Sequence, residues 1–220
     1  MMFICPYFAR RACCRLPQTA PVSYIRFLNA SPNSPAVDVY LNERLIFRNL
    51  TYKSFSDYIN IPYGTYNIRV FSAGSTENPI IDESLSIPAE KIFTIAMTGQ
   101  YPNVNLLPIE DIRRPKIQNR ALIRFINLTP DSTNLDLALS NGNTLFSNIS
   151  YREVSQYIPI VPGVYTFEIN NSGSQERVLH IPNVRLTPNR FYTIYSVGNL
   201  SGSPAHQVLI PLDGNSYIQF

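Results

Sequence analysis

The chain reads as all-β: two tandem Ig-like antiparallel β-sandwiches behind a disordered N-terminal arm. Three observations predict this. A phrase recurs: "IRFLNASPNSPAVDVYL" from Ile25 returns as "IRFINLTPDSTNLDLAL" from Ile123. Short apolar segments alternate with period two, and none shows sustained helical periodicity. The 220 residues include 18 Pro and 14 Tyr, a composition of strands and turns rather than of long helices.

The strands can be justified in order. In "AVDVYL", Val37, Val39 and Leu41 fall on one face and Asp38 and Tyr40 on the other. Asn42-Glu43 then suggests a tight hairpin into "RLIF". The second copy places one extra residue at this point, around Asn141-Gly142-Asn143, where a turn tolerates insertion. "YGTYNIRVF" puts Tyr66, Ile68 and Val70 on one face, and "PGVYTFEI" repeats this with Tyr165, Phe167 and Ile169. "FTIAMTGQ" from Phe93 and "YTIYSVGN" from Tyr192 supply a further strand each. Between the copies lies the charged, proline-bearing "EDIRRPKIQNR". The expected organisation is an arm over 1–22, a sandwich over 23–110, a linker over 111–120 and a second sandwich over 121–220.

Hydrophobic residues make up 45% of the chain, enough for proper cores, and charged residues only 15%. The formal net charge is +3, and the arm alone contributes Arg10, Arg11 and Arg15 with no acid. The remainder is near neutral, which argues against a nucleic-acid surface on the folded part. No run is long and apolar enough for a transmembrane segment. The opening "MMFICPYFARRACCRLPQTAPV" is a poor secretory signal, because its apolar stretch is short and precedes the arginines.

The phrase from Arg26 to Tyr40, "RFLNASPNSPAVDVY", resembles the DUF4397 family of bacterial domains of unknown function. Both copies are covered, from about Ser23 to Pro211. The second departs at Leu128-Thr129 and Thr133-Asn134 but keeps Arg124, Pro130 and Asp136. The resemblance implies β-sandwiches on exported or envelope proteins, and it supplies no established reaction.

Candidate site residues are few. Arg26 with Asp38, and Arg124 with Asp136, are expected to form the same loop-fixing ion pair in each copy. His180 and His206 have no partner at metal-ligand spacing, so no metal, cofactor or catalytic residue is expected. Asn-x-Ser/Thr triplets at Asn29, Asn49, Asn127, Asn148, Asn170 and Asn199 read as turn and strand-end residues. Tyr40, Tyr52, Tyr58 and Tyr63 form a candidate strip for stacking on a sugar or a protein, against a reading as cross-strand packing.

All three cysteines, Cys5, Cys13 and Cys14, lie in the arm. Three readings stand open: intermolecular crosslinks in an envelope or spore layer, acylation beside the arginines as a membrane anchor, or an incidental tail. Together these features suggest a non-catalytic structural or adhesive protein of a bacterial cell or spore surface layer, with other subunits, itself included, as partners. The alternatives are a glycan- or peptide-binding module using exposed Tyr and Asn, and a cytoplasmic location.

Overall fold

The computed structural model describes residues 21–174 and 176–220. The first unit contains β1 (Val22–Asn29), β2 (Val37–Leu41), β3 (Arg44–Leu50), β4 (Ile59–Pro62), β5 (Gly64–Ser72), β6 (Ile81–Ile87), β7 (Ile92–Thr98) and β8 (Asn105–Glu110). The second repeats the series as β9 (Ala121–Asn127), β10 (Leu135–Leu139), β11 (Thr144–Ile149), β12 (Ile158–Ile160), β13 (Gly163–Asn171), β14 (Arg177–Leu186), β15 (Phe191–Val197) and β16 (Gln207–Leu209). The only helical element among the described residues is a 3-10 turn at Gly214–Ser216.

Each unit has two four-stranded sheets. In the first they run β4-β1-β7-β8 and β3-β2-β5-β6; in the second, β12-β9-β15-β16 and β11-β10-β13-β14. Most pairs are antiparallel. The exceptions are β1 with β7 and β9 with β15, which are parallel in equivalent registers, Arg26 opposite Thr94 and Arg124 opposite Thr193. The first and seventh strands of each unit thus lie side by side at the sheet centre, an arrangement that strand patterning alone does not reveal.

The alternation fills the cores as the pattern demands. Val37, Val39, Leu41, Ile68 and Val70 enter the first core with Ile25, Phe27 and Ile95. Leu135, Leu137, Phe167 and Ile169 enter the second with Ile123, Phe125 and Ile194. Asn42 and Glu43 both have positive φ, 45° and 67°, as the two central residues of a type I′ hairpin require.

The repeated loop phrase also has a physical reason. Asn29 is fully buried; its amide donates to the Leu50 carbonyl at 3.2 Å and its Oδ1 accepts from Ser34 Oγ at 3.0 Å. Asn127 donates to the Ile149 carbonyl at 3.2 Å and to Ser132 Oγ at 2.9 Å. Each asparagine thereby satisfies the last carbonyl of β3 or β11, and its Oδ1 accepts from a buried amide of the following loop, that of Ser31 or Thr129, so that neither group is buried unpaired. Asn49 and Asn148 take positive φ of 54° and 59° where β3 and β11 bulge against their partners.

In β7 and β15 every residue is buried, on both faces. One face belongs to the unit's own core. The other packs against the opposite unit: Leu28, Ala30, Ala96 and Ile109 of the first join Ile126, Leu128, Tyr195 and Val197 of the second in one apolar cluster. The central sheets of the two units therefore meet face to face.

Candidate functional site

Where those two sheets meet, each unit contributes the same four polar side chains. Arg26 and Thr94 lie on neighbouring strands β1 and β7, and Arg124 and Thr193 on β9 and β15. Tyr58 and Tyr157 stand immediately before β4 and β12, and Asp111 and Asp213 follow β8 and β16. The side chains of both arginines and both aspartates are at most 5% exposed.

The bonding crosses between units in both directions. Arg124 Nε donates to Thr193 Oγ1 at 2.6 Å, Nη1 to the Glu110 carbonyl at 2.7 Å and Nη2 to Asp111 Oδ1 at 2.6 Å. Arg26 repeats this less tightly: Nε to Thr94 Oγ1 at 2.8 Å, Nη1 to the Leu212 carbonyl at 3.1 Å and Nη2 to Asp213 Oδ1 at 3.4 Å. Each aspartate is held by a tyrosine of its own unit, Tyr58 to Asp111 at 2.7 Å and Tyr157 to Asp213 at 2.6 Å. The Gly214 amide adds a bond to Asp111 Oδ2 at 2.8 Å, and Thr193 one to Asp213 Oδ2 at 2.6 Å. The guanidinium carbon of Arg26 lies 4.7 Å from the Tyr58 ring centroid, and that of Arg124 lies 4.6 Å from the Tyr157 centroid.

Two positive and two negative charges leave the cluster neutral, which is what permits its burial. Burial, and after it the aspartate charges, push both tyrosine hydroxyls far up, so each remains an O–H donor. Burial and the nearby Asp111 charge push Asp213 up to about 6. The two halves differ in apolar filling. Phe55 of the first unit packs on Tyr195 of the second with centroids 5.8 Å apart, while Val154 and Ala96 occupy the equivalent places.

The expected ion pairs Arg26–Asp38 and Arg124–Asp136 do not form among the described residues. Arginine and aspartate point away from each other: the arginines leave the central sheet toward the other unit, whereas Asp38 and Asp136 lie on the opposite sheet. Asp38 still fixes loops, accepting from the Asn49 amide at 2.7 Å and the Gly74 amide at 2.9 Å. Asp136 accepts from the Asn148 amide at 2.7 Å. Nor do the tyrosines make one strip. Tyr58 is in the buried cluster, Tyr40 packs edge-on against Phe71, the Tyr52 hydroxyl is buried, and Tyr63 is exposed on a turn. Cys5, Cys13 and Cys14 lie outside the described residues.

The sequence does not single out Asp111, Asp213, Thr94, Thr193 or Tyr157 as site residues. The usable signal is their recurrence at matching places in the two copies. Asp111 is further hidden because it opens the segment expected to be a linker.

One Ser–His contact exists, Ser196 Oγ to His206 Nε2 at 2.7 Å, with Thr129 Oγ1 2.7 Å from the same serine. Ser196 is fully buried, and His206 Nδ1 has no partner among the described residues. A working triad needs an orienting acceptor at that nitrogen and a serine open to substrate. Asp131, the nearby carboxylate, instead accepts from the Leu200 and Ser201 amides. No group of three or more His, Cys, Asp or Glu side chains suited to a metal ion occurs among the described residues.

The model of a domain of unknown function, DUF4397, matches residues 23–138 and 121–218. The chain belongs to the DUF4397 family. Its two matches overlap in β9 and β10, and together they span both units, as a tandem pair of DUF4397 domains requires. No curated protein matches the sequence. Among solved structures, a family 26 carbohydrate-binding module from Eubacterium rectale in complex with maltoheptaose aligns at 10% identity and TM-score 0.26, over 86% of this chain and 96% of its own. An α-glucan-binding streptococcal virulence factor aligns at 9% and 0.26, over 90% and 100%. A cell adhesion protein, described as putative, from Bacteroides fragilis aligns at 10% and 0.20, over 81% and 84%. At these scores the likenesses are too slight to transfer a ligand or a role to the DUF4397 pair. No helix among the described residues is long and apolar enough to cross a membrane.

Proposed function

We propose that this DUF4397 pair is a non-catalytic structural or adhesive protein of a bacterial cell or spore surface layer. The observation that carries the reading is the use made of its densest polar constellation. Two arginines, two aspartates, two tyrosines and two threonines are consumed in fixing one sandwich against the other. Such an arrangement holds two modules at one spacing and angle, which suits assembly or bridging better than turnover. Cys5, Cys13 and Cys14 supply intermolecular crosslinks in this reading, with other subunits or further copies as partners.

A second reading, glycan or peptide binding, is favoured by grooves at equivalent places on the outer sheets. One, of about 520 Å³, is lined by Asp38, Tyr40, Arg48, Asn49 and Gly74. The other, of about 600 Å³, is lined by Asp136, Ala138, Glu168, Asn170 and Arg177. Ala138 takes the place of Tyr40, so the second groove lacks that aromatic ring.

The test is extraction of the native protein from washed cells and spores, with and without reductant, followed by a non-reducing gel. The surface-layer reading expects release from the envelope fraction by reductant, and multimers abolished by Cys5/Cys13/Cys14→Ser. A monomer found wholly in the cytosol overturns it and leaves the binding-module reading.

A further inference from the structure

The segment between the two units carries a concentration of positive charge that nothing in the interunit cluster uses. Residues 112–120, "IRRPKIQNR", are all exposed and contain Arg113, Arg114, Lys116 and Arg120 without an acid. Arg190, just before β15, joins them. Lys116 Nζ and Arg190 Nη1 both donate to a single acceptor, the Ser216 carbonyl, at 3.2 and 3.1 Å. Two like charges are thus held side by side on one neutral oxygen. Among the described residues Arg114 donates only to Gln156 Oε1, at 2.8 Å, and Arg113 lies over the Phe220 ring, 4.9 Å from its centroid.

Among the described residues, none of these five cations forms an ion pair. The acidic residues that immediately precede the segment and the 3-10 turn are engaged elsewhere. Glu110 binds Lys91, and Asp111 and Asp213 are closed inside the cluster. Beside the segment, Arg113, Arg114, Asn215, Ile218 and Phe220 line a hollow of about 320 Å³. Like charges this close repel, and a polyanion relieves that repulsion while releasing its own counterions.

We propose that this basic strip, running from Arg113 to Arg120 and on to Arg190, is a docking surface for a flexible polyanion with phosphodiesters recurring along its chain. The cations are strung along an exposed segment rather than gathered in a closed pocket, so they suit a linear partner better than a single small anion. Each phosphodiester has two non-bridging oxygens, and one group can meet Lys116 and Arg190 together. The proposal names a partner for the surface-layer reading but rests on different residues. It is tested in vitro, so its failure is distinguishable from a failure of localisation.

The experiment uses the full chain and synthetic poly(glycerol phosphate), with binding followed by calorimetry across a salt series. Arg113→Gln/Lys116→Gln/Arg120→Gln is expected to weaken binding at least tenfold at low salt. It should also flatten the plot of log K against log salt by about two, at roughly 0.7 for each phosphate no longer neutralised. An outer-sheet control of equal valence, Arg44→Gln/Arg48→Gln/Arg185→Gln, with its residues on β3 and β14, and a tail control, Arg10→Gln/Arg11→Gln/Arg15→Gln, should each change affinity less than threefold. If Lys116→Gln disturbs the fold, Arg113→Gln/Arg120→Gln carries the same test with a smaller expected loss, because neither side chain holds a hydrogen bond among the described residues. Equal loss in either control overturns the proposal. So does binding to phosphatidylglycerol vesicles without binding to the polymer, tighter binding to single-stranded oligothymidylate, or no binding to any of the three.

Discussion

Arg124 and Asp111 meet at 2.6 Å with their side chains almost wholly buried, one in the middle of β9 and the other directly after β8. The pair joins the two DUF4397 units just where the chain passes from one to the other. Its counterpart, Arg26 with Asp213, joins them again across 187 residues of sequence, at the longer distance of 3.4 Å. The two pairs make unequal demands, and the inequality is measurable.

Arg124→Met removes the better-bonded guanidinium and leaves Asp111 buried with one fewer charge partner. Breaking a buried pair in this way costs about 3–5 kcal/mol. Arg26→Met should cost less, because its contact to Asp213 is longer and Asp213 keeps a second guanidinium, that of Arg124, at 3.8 Å. Urea denaturation of the two variants checks the order.

Tyr157→Phe removes a 2.6 Å hydrogen bond to a carboxylate inside the cluster and leaves the ring packed edge-on against Phe191. A hydrogen bond to a charged group contributes about 1.5–3 kcal/mol. The same measurement should show a loss in that range, with the folded structure unchanged by circular dichroism.

Stability should respond to pH through two buried groups of opposite sign. Asp213 titrates near 6 in the folded protein, above its unfolded value of 3.8. The folded state then binds the extra proton between those values, so this group lowers stability as pH rises from about 4 to about 6. His206 is lowered by burial from 6.5 to about 4. The unfolded state binds the proton there, so this group raises stability as pH rises through the same window. The two contributions oppose each other, so the wild-type profile should be shallower between pH values of about 4 and about 6 than that of either single variant. His206→Asn should show stability falling with pH, and Asp213→Asn should show it rising. Chemical denaturation at half-unit pH steps reads all three.

At Asn49 the backbone has φ 54°. Asn49→Gly should change stability by only a few tenths of a kcal/mol, because glycine adopts this conformation freely. Asn49→Val should cost about 1–2 kcal/mol, the penalty of the left-handed region for a residue with a Cβ. Thermal melts of the two variants separate backbone strain from loss of a polar side chain.

How far the sequence reaches can be judged from particular residues. Val37, Val39 and Leu41 declare their face through alternation, and Asn42-Glu43 declares its turn, because both signals are local. Thr94 and Ala96 do not. Inside "FTIAMT" they read as part of a strand with one buried side, whereas a run this apolar marks burial on both. The Arg26–Asp213 contact has no local trace at all. Nearness in sequence points Arg26 toward Asp38, yet the two sit on different sheets of the sandwich. Cross-unit pairing is a property of how two folded surfaces meet. The repeat marks which polar residues recur, but not which surface they face.

Scanning calorimetry of the full chain tests the central claim most directly, namely that the two DUF4397 units are one body held by the buried Arg26, Arg124, Asp111 and Asp213 cluster. The account predicts a single transition whose van't Hoff and calorimetric enthalpies agree, and which splits in two when Arg26→Met and Arg124→Met are combined. Two separate transitions in the unmodified protein would contradict it.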